Sequence, residues 1–405
     1  MGLSRYLSLL IFVCIAALHQ PVFAAKAPGG FSEKELNSIK PMLRKHGLVG
    51  LSETDAKGNP TSMTLAIRVK APREIAFKTI EDPKNYYYLS TLLKENNIIQ
   101  EHEGAKAWSW ASRHKLFSFT GINTIALFPP RRADVAFTKS NIGSGSFTFN
   151  FYEDGKDHTI VVLSGILDVE SSEWLIRFLV GGNPAMREAM NVAIGTLIIK
   201  GMKSLAEKMA RGKKLAKHRT RGKAGGTMRI VSSSELKRLA PLLVRGQVII
   251  SDSRSGGKLR QATVIDVVNA PAQKILDAIS TPKNYQKMIK AISEVVVHDA
   301  TDTEIDFSWT LGFSVFGITS RNRMTSIDQG VLLEGLEGDL KGAKWRWQIA
   351  PVEDNKSVVA YHGFAHIGKS AYILQKTINR EPYLEHGLMI GTNMVMLGAI
   401  RRAVE

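Results

Sequence analysis

Hydrophobic and polar residues follow the same order twice along this chain. Each stretch opens with an amphipathic helix, predicted at Glu33–Arg44 and Ser234–Val244, and a strand follows at Met63–Lys70 and Ala262–Asn269. A long run of further strands comes next, and in Phe147–Phe151 apolar and polar residues alternate strictly. Such alternation is typical of antiparallel strands with one buried and one solvated face.

The two stretches end in long helices, predicted over Ser172–Lys208 and Ser370–Val404. A proline interrupts each one, Pro184 in the first and Pro382 in the second, and the residues after it are too apolar for a helix on the outside. We therefore expect an α+β protein in which one long helix covers one face of an antiparallel sheet in each stretch. Because such a sheet twists, one helix does not fill its concavity, and the pattern predicts an apolar cavity between helix and sheet.

The repeated order reflects a duplication. Residues 71–86 and 270–285 are identical at seven of sixteen positions, and further matches keep an offset of 198–200 residues. A period of this length is that of a whole domain and not of a solenoid unit. The predicted domains cover residues 31–210 and 228–405, and residues 211–227 form a basic linker rich in Lys, Arg and Gly.

The best-matched segment carries a resemblance to a known family. An Ala-Pro pair opens a helix in each copy, and Asp82-Pro83-Lys84-Asn85-Tyr86 corresponds to Thr281-Pro282-Lys283-Asn284-Tyr285. With the strands and the terminal helix, this resembles the START/SRPBCC superfamily, which includes polyketide cyclases and coenzyme-Q-binding proteins. The resemblance implies two tandem helix-grip domains, each a curved antiparallel sheet wrapped around a long C-terminal helix. It also implies a hydrophobic ligand in the cavity, and it transfers no catalytic residue.

Composition removes several classes of site. The only cysteine of the 405 residues is Cys14, which excludes a disulfide framework, an iron–sulfur site and a multi-cysteine zinc site. Nucleophile elbows, phosphate loops, dinucleotide fingerprints and zinc-protease motifs are missing from the sequence. We therefore expect no catalytic triad, no metal and no cofactor, although a cavity acid or base would suffice for aromatase-type chemistry.

The first 24 residues predict a secretory signal peptide. An apolar run from Leu7 to Leu18 follows Arg5, and small residues at Val22 and Ala24 precede a cleavage site. The run is shorter than the roughly 20 residues of a membrane span, although an uncleaved anchor is the alternative. We expect a periplasmic or secreted protein that is soluble after cleavage.

The net charge of +17 suggests a polyanionic partner. The predicted export and the lack of nucleic-acid-recognition motifs argue against nucleic acid as this partner. The segment from Lys203 to Lys223 contains nine basic residues and one acidic residue. This composition predicts either contact with an anionic membrane surface or a solvated tether.

Aromatic residues on the predicted strands are the candidate lining of the two cavities, and plain core packing is the alternative for about half of them. The candidates are Trp108, Trp110, Phe147, Phe149, Trp309, Phe313, Trp345 and Trp347. We expect Tyr86 and Tyr285 to pack under the short helical turn and not to contact a ligand.

Two arginines are candidate polar anchors. Arg321 and Arg323 share one face of a strand and could hold the carboxylate or phosphate of a headgroup. A cross-strand ion pair on the wet face, with Asp306 or Glu334 of a neighbouring strand, is the interpretation we favour. His362 and His366 are about 13 Å apart along a strand, too far to share one metal ion.

Three functions remain open. The first is an exported binding or transfer protein for a hydrophobic small molecule, such as a lipid or a sterol-like compound. The second is a cyclase or aromatase acting on a polyketide-like substrate, which paired ionisable residues in one cavity would support. The third is an interaction module whose cavities are filled by side chains.

Overall fold

A computed structural model of the chain gives the fold. It describes residues 28–90, 93–113, 118–172, 184–217, 219–220, 223–313, 316–366, 381 and 383–405. The predicted signal peptide at 1–24 lies outside the described residues, as do the segments 173–183 and 367–380 of the predicted terminal helices.

Each half of the chain, 31–210 and 228–405, contains the same elements in the same order. The helices are α1 Glu33–His46, α2 Arg73–Glu81, α3 Pro184–Ala210, α4 Ser233–Leu243, α5 Ala272–Ile279, α6 Pro282–Met288 and α7 Leu384–Val404. The strands of the first half are β1 Gly47–Thr54, β2 Pro60–Val69, β3 Leu93–His102, β4 Ala105–Arg113, β5 Ser118–Phe128, β6 Arg132–Ser140, β7 Ser144–Glu153 and β8 Thr159–Asp168. Those of the second half are β9 Gln247–Ser253, β10 Leu259–Val268, β11 Ile292–Ala300, β12 Glu304–Phe313, β13 Phe316–Ile327, β14 Gly330–Gly338, β15 Lys344–Glu353 and β16 Lys356–Phe364.

Sequence and structure agree on most of these elements. The Ala-Pro pairs place Pro72 and Pro271 at the N-caps of α2 and α5, where a missing N–H costs nothing. In the first half the second proline, Pro83, starts a 3₁₀ turn at Pro83–Tyr88 that corresponds to α6. The α+β class and the two tandem helix-grip copies are confirmed, because in each half a long C-terminal helix packs on an antiparallel sheet.

The two half-sheets join into one antiparallel sheet of sixteen strands. Its order is β11-β12-β13-β14-β15-β16-β10-β9-β1-β2-β8-β7-β6-β5-β4-β3, so the halves meet where β1 pairs with β9. The hydrophobic pattern predicts neither of these strands. Both are buried on their two faces, and this removes the alternation that reveals a half-buried strand.

The pairing of β1 with β9 is symmetric about one position. Gly50 lies opposite Ile249, Leu48 opposite Ser251 and Ser52 opposite Gln247. Equivalent residues of the two halves differ by 199 in number here, so a twofold rotation through Gly50 and Ile249 maps the pairing onto itself. A Cβ atom at Gly50 would overlap Cδ2 of Leu65, so a larger residue at this axis would require the leucine side chain to move.

On one face of the sheet, which we call the inner face, α3 and α7 cross at the same axis. A Cβ atom at Gly387 would lie 2.8 Å from Cα of Ala193, and one at Gly391 would lie 3.2 Å from Cβ of Ala189. Small residues one turn apart on both helices therefore let the two backbones approach closely. Equivalent residues of α3 and α7 differ by 198 in number, so the twofold axis relates the contact of Gly387 with Ala193 to the contact of Gly391 with Ala189.

On the opposite, outer face, α1 and α4 cover the joint between the halves. Their apolar residues share one hydrophobic cluster with β1, β2, β8, β9, β10 and β16. Both helices begin with a capping box, in which the side chain of Glu35 or Glu235 accepts a hydrogen bond from the backbone N–H of its own N-cap serine.

Each capping-box glutamate also bonds to a basic residue of the other half. Nη1 of Arg245 lies 2.8 Å from Oε1 of Glu35, and Nε of the same side chain lies 3.0 Å from Oε1 of Glu53. In the equivalent place Lys45 and His46 lie 2.7 and 2.9 Å from Oε1 of Glu235.

These contacts outweigh the cost of burying the two carboxylates. Burial opposes the charge of Glu235, but hydrogen bonds from Lys45, Ser232 and His46 lower its pKa to about 2. Burial likewise opposes the charge of Glu35, and the bonds from Arg245 and Ser32 hold its pKa below the usual value.

The basic linker lies against both halves where the structure describes it. Nζ of Lys217 donates to the carbonyl of Leu93 at 2.9 Å and sits 3.8 Å from the ring centre of Tyr87. Further along, the amide of Gly225 donates to the carbonyl of Leu259. None of the helices in the described part of the chain is both long enough and apolar enough to cross a membrane.

Replacing Arg245 with alanine should destabilise the whole chain, because two half-buried carboxylates lose their shared partner. We expect the free energy of unfolding to fall by about 2–3 kcal/mol, measured by urea denaturation. The matched control is Arg44→Ala, whose side chain is 58% exposed in its pair with Asp154 and should contribute less than about 1 kcal/mol. Equal losses in both variants would contradict a special role for Arg245 at the joint.

Candidate ligand-binding walls on the inner face

Strand alternation puts a set of aromatic side chains on the inner face of each half. We call them the aromatic walls. The first wall consists of Trp108, Trp110, Phe147 and Phe149, and the second consists of Phe307, Trp309, Trp345 and Trp347. All are buried in one core cluster except Trp110, which is half-buried against it. Phe313, the remaining aromatic candidate, lies on β12, and its side chain is outside the described residues.

The paired tyrosines hold the short turn beneath each wall. The hydroxyl of Tyr86 donates to the carbonyl of Ile80 at 2.6 Å, and that of Tyr285 donates to the carbonyl of Ile279 at 2.9 Å. The ring of Tyr86 also meets that of Trp108 edge to face, with centres 5.0 Å apart. The conserved geometry of the two copies therefore gives the Asn-Tyr motif a structural role, as the sequence predicted.

Trp309 lies at the centre of the second wall. Its ring meets those of Phe307, Tyr285 and Trp345 edge to face, with centres 5.5, 6.2 and 6.4 Å apart. Beside them Trp347 stacks on Tyr361 at 4.0 Å and donates its indole N–H to the hydroxyl of Tyr285 at 3.0 Å. The second wall is thus a continuous aromatic surface with geometry typical of favourable ring pairs.

The few polar groups of the walls are amides, a hydroxyl and indoles. In the first half Nε1 of Trp110 donates to Oδ1 of Asn123 at 3.0 Å. In the second half Oδ1 of Asn322 accepts from the hydroxyl of Ser320 at 2.9 Å. Nε1 of Trp309 is buried, and in the part of the chain that the structure describes it has no hydrogen-bond partner.

The two candidate arginines lie on the other side of the sheet. On β13 the residues Ser320, Asn322 and Met324 are buried on the inner face, so Arg321 and Arg323 point to the outer face. This corrects their inclusion among the cavity-lining residues.

The two arginines form a cross-strand ion pair with Asp306. Nε of Arg323 lies 2.9 Å from Oδ1 of Asp306, and Nη2 of Arg321 lies 3.6 Å from Oδ2 of the same residue. Both arginine side chains are about 40% exposed, and the hydrogen bond from Arg323 lowers the pKa of Asp306.

His362 is a buried structural residue of the outer face. Its Nδ1 lies 2.9 Å from Oγ1 of Thr263 and its Nε2 lies 3.2 Å from Oε1 of Gln348. Burial lowers its pKa to about 3, so the ring is neutral. Among the described residues no group of three His, Cys, Asp or Glu side chains is placed to hold a metal ion.

Buried ionisable groups instead collect where α3 and α7 meet β1 and β9. Glu188 of α3 accepts a hydrogen bond from Ser52, and burial raises its pKa to about 7. At the equivalent position of α7, Nδ1 of His386 lies 2.9 Å from Oγ of Ser251, and Nε2 lies 3.1 Å from the carbonyl oxygen of Gly257. The sequence pattern does not predict this pair, although both copies carry an ionisable residue at the same position of an otherwise apolar helix.

A groove of about 460 Å³ lies on the far end of the first half-sheet. Its lining includes Ser109, Ala111, Thr120 and Ile122, which alternate with the inner-face residues of β4 and β5. These residues place the groove on the outer side of the sheet, where it also borders Trp110 of the first wall, Gly121 and Glu95.

Comparison with known proteins gives structural neighbours only. No protein-family model matches the sequence, and neither does any curated protein. The di-domain ARO/CYC StfQ from the steffimycin biosynthetic pathway is 10% identical with a TM-score of 0.30, over 84% of this chain and 97% of that one. The di-domain ARO/CYC BexL from the BE-7585A pathway is 11% identical with a TM-score of 0.29, over 85% and 98%.

A single-domain neighbour matches part of the chain. The STAR-related lipid transfer protein from Xanthomonas axonopodis is 14% identical with a TM-score of 0.28, over 36% of this chain and 93% of that fragment. The resemblance to START/SRPBCC-type proteins, in two tandem copies, is one of fold and indicates neither a ligand nor a reaction.

The carboxyl of Glu188 should make stability depend on pH. Its pKa is about 7 in the folded chain and about 4.5 when unfolded, so the folded state favours the proton. Its contribution is complete below pH 4.5 and is lost as the pH rises to about 7. A shift of this size corresponds to about 3 kcal/mol.

Glu188→Gln should remove this fall in stability between pH 4.5 and 7, measured by thermal or urea unfolding. The matched control is Glu74→Gln, at a side chain of α2 that is 60% exposed, which should keep the wild-type profile. A Glu188→Gln profile that parallels the wild type would show that the carboxyl is ionised in the folded chain.

Proposed function

We propose that this chain is an exported binding or transfer protein for a hydrophobic small molecule, such as a lipid or sterol-like compound. The observation that carries the proposal is the position of the aromatic walls relative to the long helices. In each half two of the four aromatic residues lie on the strand next to those that the long helix covers, and the other two lie three strands further out.

The helices and the walls use different parts of the inner face. The long helix α3 packs chiefly on β2 and β8, and α7 packs on β10 and β16, close to the twofold axis. The aromatic residues lie on β4 and β7 in the first half and on β12 and β15 in the second. Because the wall residues are already buried apart from Trp110, an apolar molecule held beside them gains about 25 cal/mol for each Å² of its own apolar surface removed from water.

The chemistry of the second wall favours binding over catalysis. Its four side chains and the neighbouring Ser320, Asn322 and Met324 are not titratable, and burial raises the pKa of the adjoining phenols of Tyr285 and Tyr361. A cyclase or aromatase needs an acid or base beside its substrate, and the buried Glu188 and His386 face serines of the joint between the halves. The enzyme hypothesis is therefore the second choice, and turnover of a polyketide-like substrate is the result that would restore it.

Ligand binding can be measured directly on the full chain. Native mass spectrometry after purification from a lipid-containing extract should show a retained apolar molecule, and fluorescent sterols or lipids should bind. Trp345→Leu removes part of the second wall and should weaken binding about tenfold. Phe128→Ala, at a ring that is 48% exposed, is the control and should bind as the wild type does. Two empty halves and no uptake of fluorescent lipids or sterols would contradict the proposal.

The basic linker supports delivery at an anionic membrane surface. Arg211, Lys213 and Lys214 are exposed at the end of α3, and each basic residue near such a surface contributes about 1 kcal/mol. Because Lys217 holds the following part of the linker against the first half, these residues would approach a membrane as part of the folded body.

Replacing both Lys213 and Lys214 with alanine should weaken binding to phosphatidylglycerol vesicles about thirtyfold, and added salt should weaken wild-type binding. The matched control replaces the exposed Lys57 and Lys156 and should change vesicle binding little. Equal loss in the two double variants would indicate attraction by net charge and not by the linker.

A further inference from the structure

The two aromatic walls differ at one polar position that the duplication makes directly comparable. With the offset of 199 residues, Trp110 corresponds to Trp309, Gly121 to Ser320 and Asn123 to Asn322. The strand pairing agrees, since Trp110 lies opposite Gly121 and Trp309 lies opposite Ser320.

In the first half the indole N–H has an internal partner. Nε1 of Trp110 donates to Oδ1 of Asn123 at 3.0 Å. A Cβ atom at Gly121 would lie 2.8 Å from this indole ring, so glycine is what lets the ring lie across β5 and reach the amide.

In the second half the corresponding amide, that of Asn322, bonds to a different residue. Ser320 stands where the first half has glycine, and its hydroxyl lies 2.9 Å from Oδ1 of Asn322 and 3.1 Å from the carbonyl oxygen of Glu337. Nδ2 of Asn322 donates to the backbone carbonyl of Ser320 at 3.0 Å. Both residues are buried on the inner face. The amide that accepts the indole proton in the first half therefore bonds to serine in the second.

Trp309 is consequently a buried donor without an acceptor. Its side chain is only 4% exposed, and Nε1 has no hydrogen-bond partner among the described residues. Its ring is surrounded by the rings of Phe307, Tyr285 and Trp345. Buried donors in folded proteins almost always have partners, because leaving one unpaired costs free energy.

We propose that the second wall binds a neutral, oxygen-bearing apolar molecule whose hydroxyl, ether or carbonyl oxygen accepts the hydrogen bond of Trp309 Nε1. This inference rests on the proposed function and adds the class of ligand and the half that selects it. The ligand is neutral because none of the described side chains that form the wall is a cation that could pair with a carboxylate or phosphate, and an unpaired buried charge is expensive. The first wall, whose indole bonds to Asn123, does not select for an oxygen.

The test compares ligands that differ only in the oxygen. Cholestanol is paired with cholestane, and 2-hexadecanone is paired with hexadecane, each competing on the full chain with a fluorescent apolar probe. One hydrogen bond to an otherwise unpaired group should make wild-type binding of the oxygenated member about 3- to 10-fold tighter.

Three variants locate the preference. Trp309→Phe keeps the aromatic surface and should bind both members of a pair as the wild type binds the hydrocarbon. Ser320→Gly recreates the arrangement of the first half and should also lose the preference, because the indole can then reach Asn322. Trp110→Phe is the matched control and should keep it.

The outcomes separate this inference from the function on which it rests. If the hydrocarbon and the oxygenated ligand bind equally to the wild type, or if Trp309→Phe keeps the preference, the anchor is wrong and the apolar site remains. If Trp110→Phe loses the preference instead, the first half holds the anchor and the assignment is overturned. If no member of either pair binds, the proposed function fails and this inference fails with it.

Discussion

The pairing of β1 with β9 is the interaction on which the rest of the molecule depends. Each half-sheet would otherwise end in a long edge strand with unpaired backbone groups, an arrangement that invites association. Pairing these edges makes one sheet of sixteen strands and places α3 against α7 on one side and α1 against α4 on the other. The glutamate contacts on the outer face and the glycine crossing on the inner face are both consequences of this one register.

The sequence predicts the elements of each half well because their signals are local. Helix starts at Ala-Pro, the prolines that end α2 and α5, and the alternating strands all depend on residues close in the chain. The repeat itself also shows that both halves share one fold. The order of strands and the long helix on the inner face then follow from the resemblance that these motifs carry.

The joint between the halves could not be predicted in the same way. β1 and β9 pair residues about 200 positions apart, and they lack alternation because both of their faces are covered. The capping-box glutamates are visible as helix starts, but nothing in the sequence shows that Arg245 reaches Glu35. Part of the candidate site can be predicted, because alternation identifies the aromatic walls. The outward direction of Arg321 depends on the register of its strand, and the unpaired N–H of Trp309 depends on a serine in the neighbouring strand.

The twofold axis through Gly50 and Ile249 has a consequence for how the two halves could diverge. An isologous interface of this kind is what two identical copies of one half would form as a homodimer, and in such a dimer every substitution appears twice. Joining the copies in one chain keeps them together at a high effective concentration and frees each to change alone. The glycine of one wall and the serine of the other are a difference that a symmetric dimer could not hold, so covalent fusion is what permits one scaffold to carry two unequal binding surfaces.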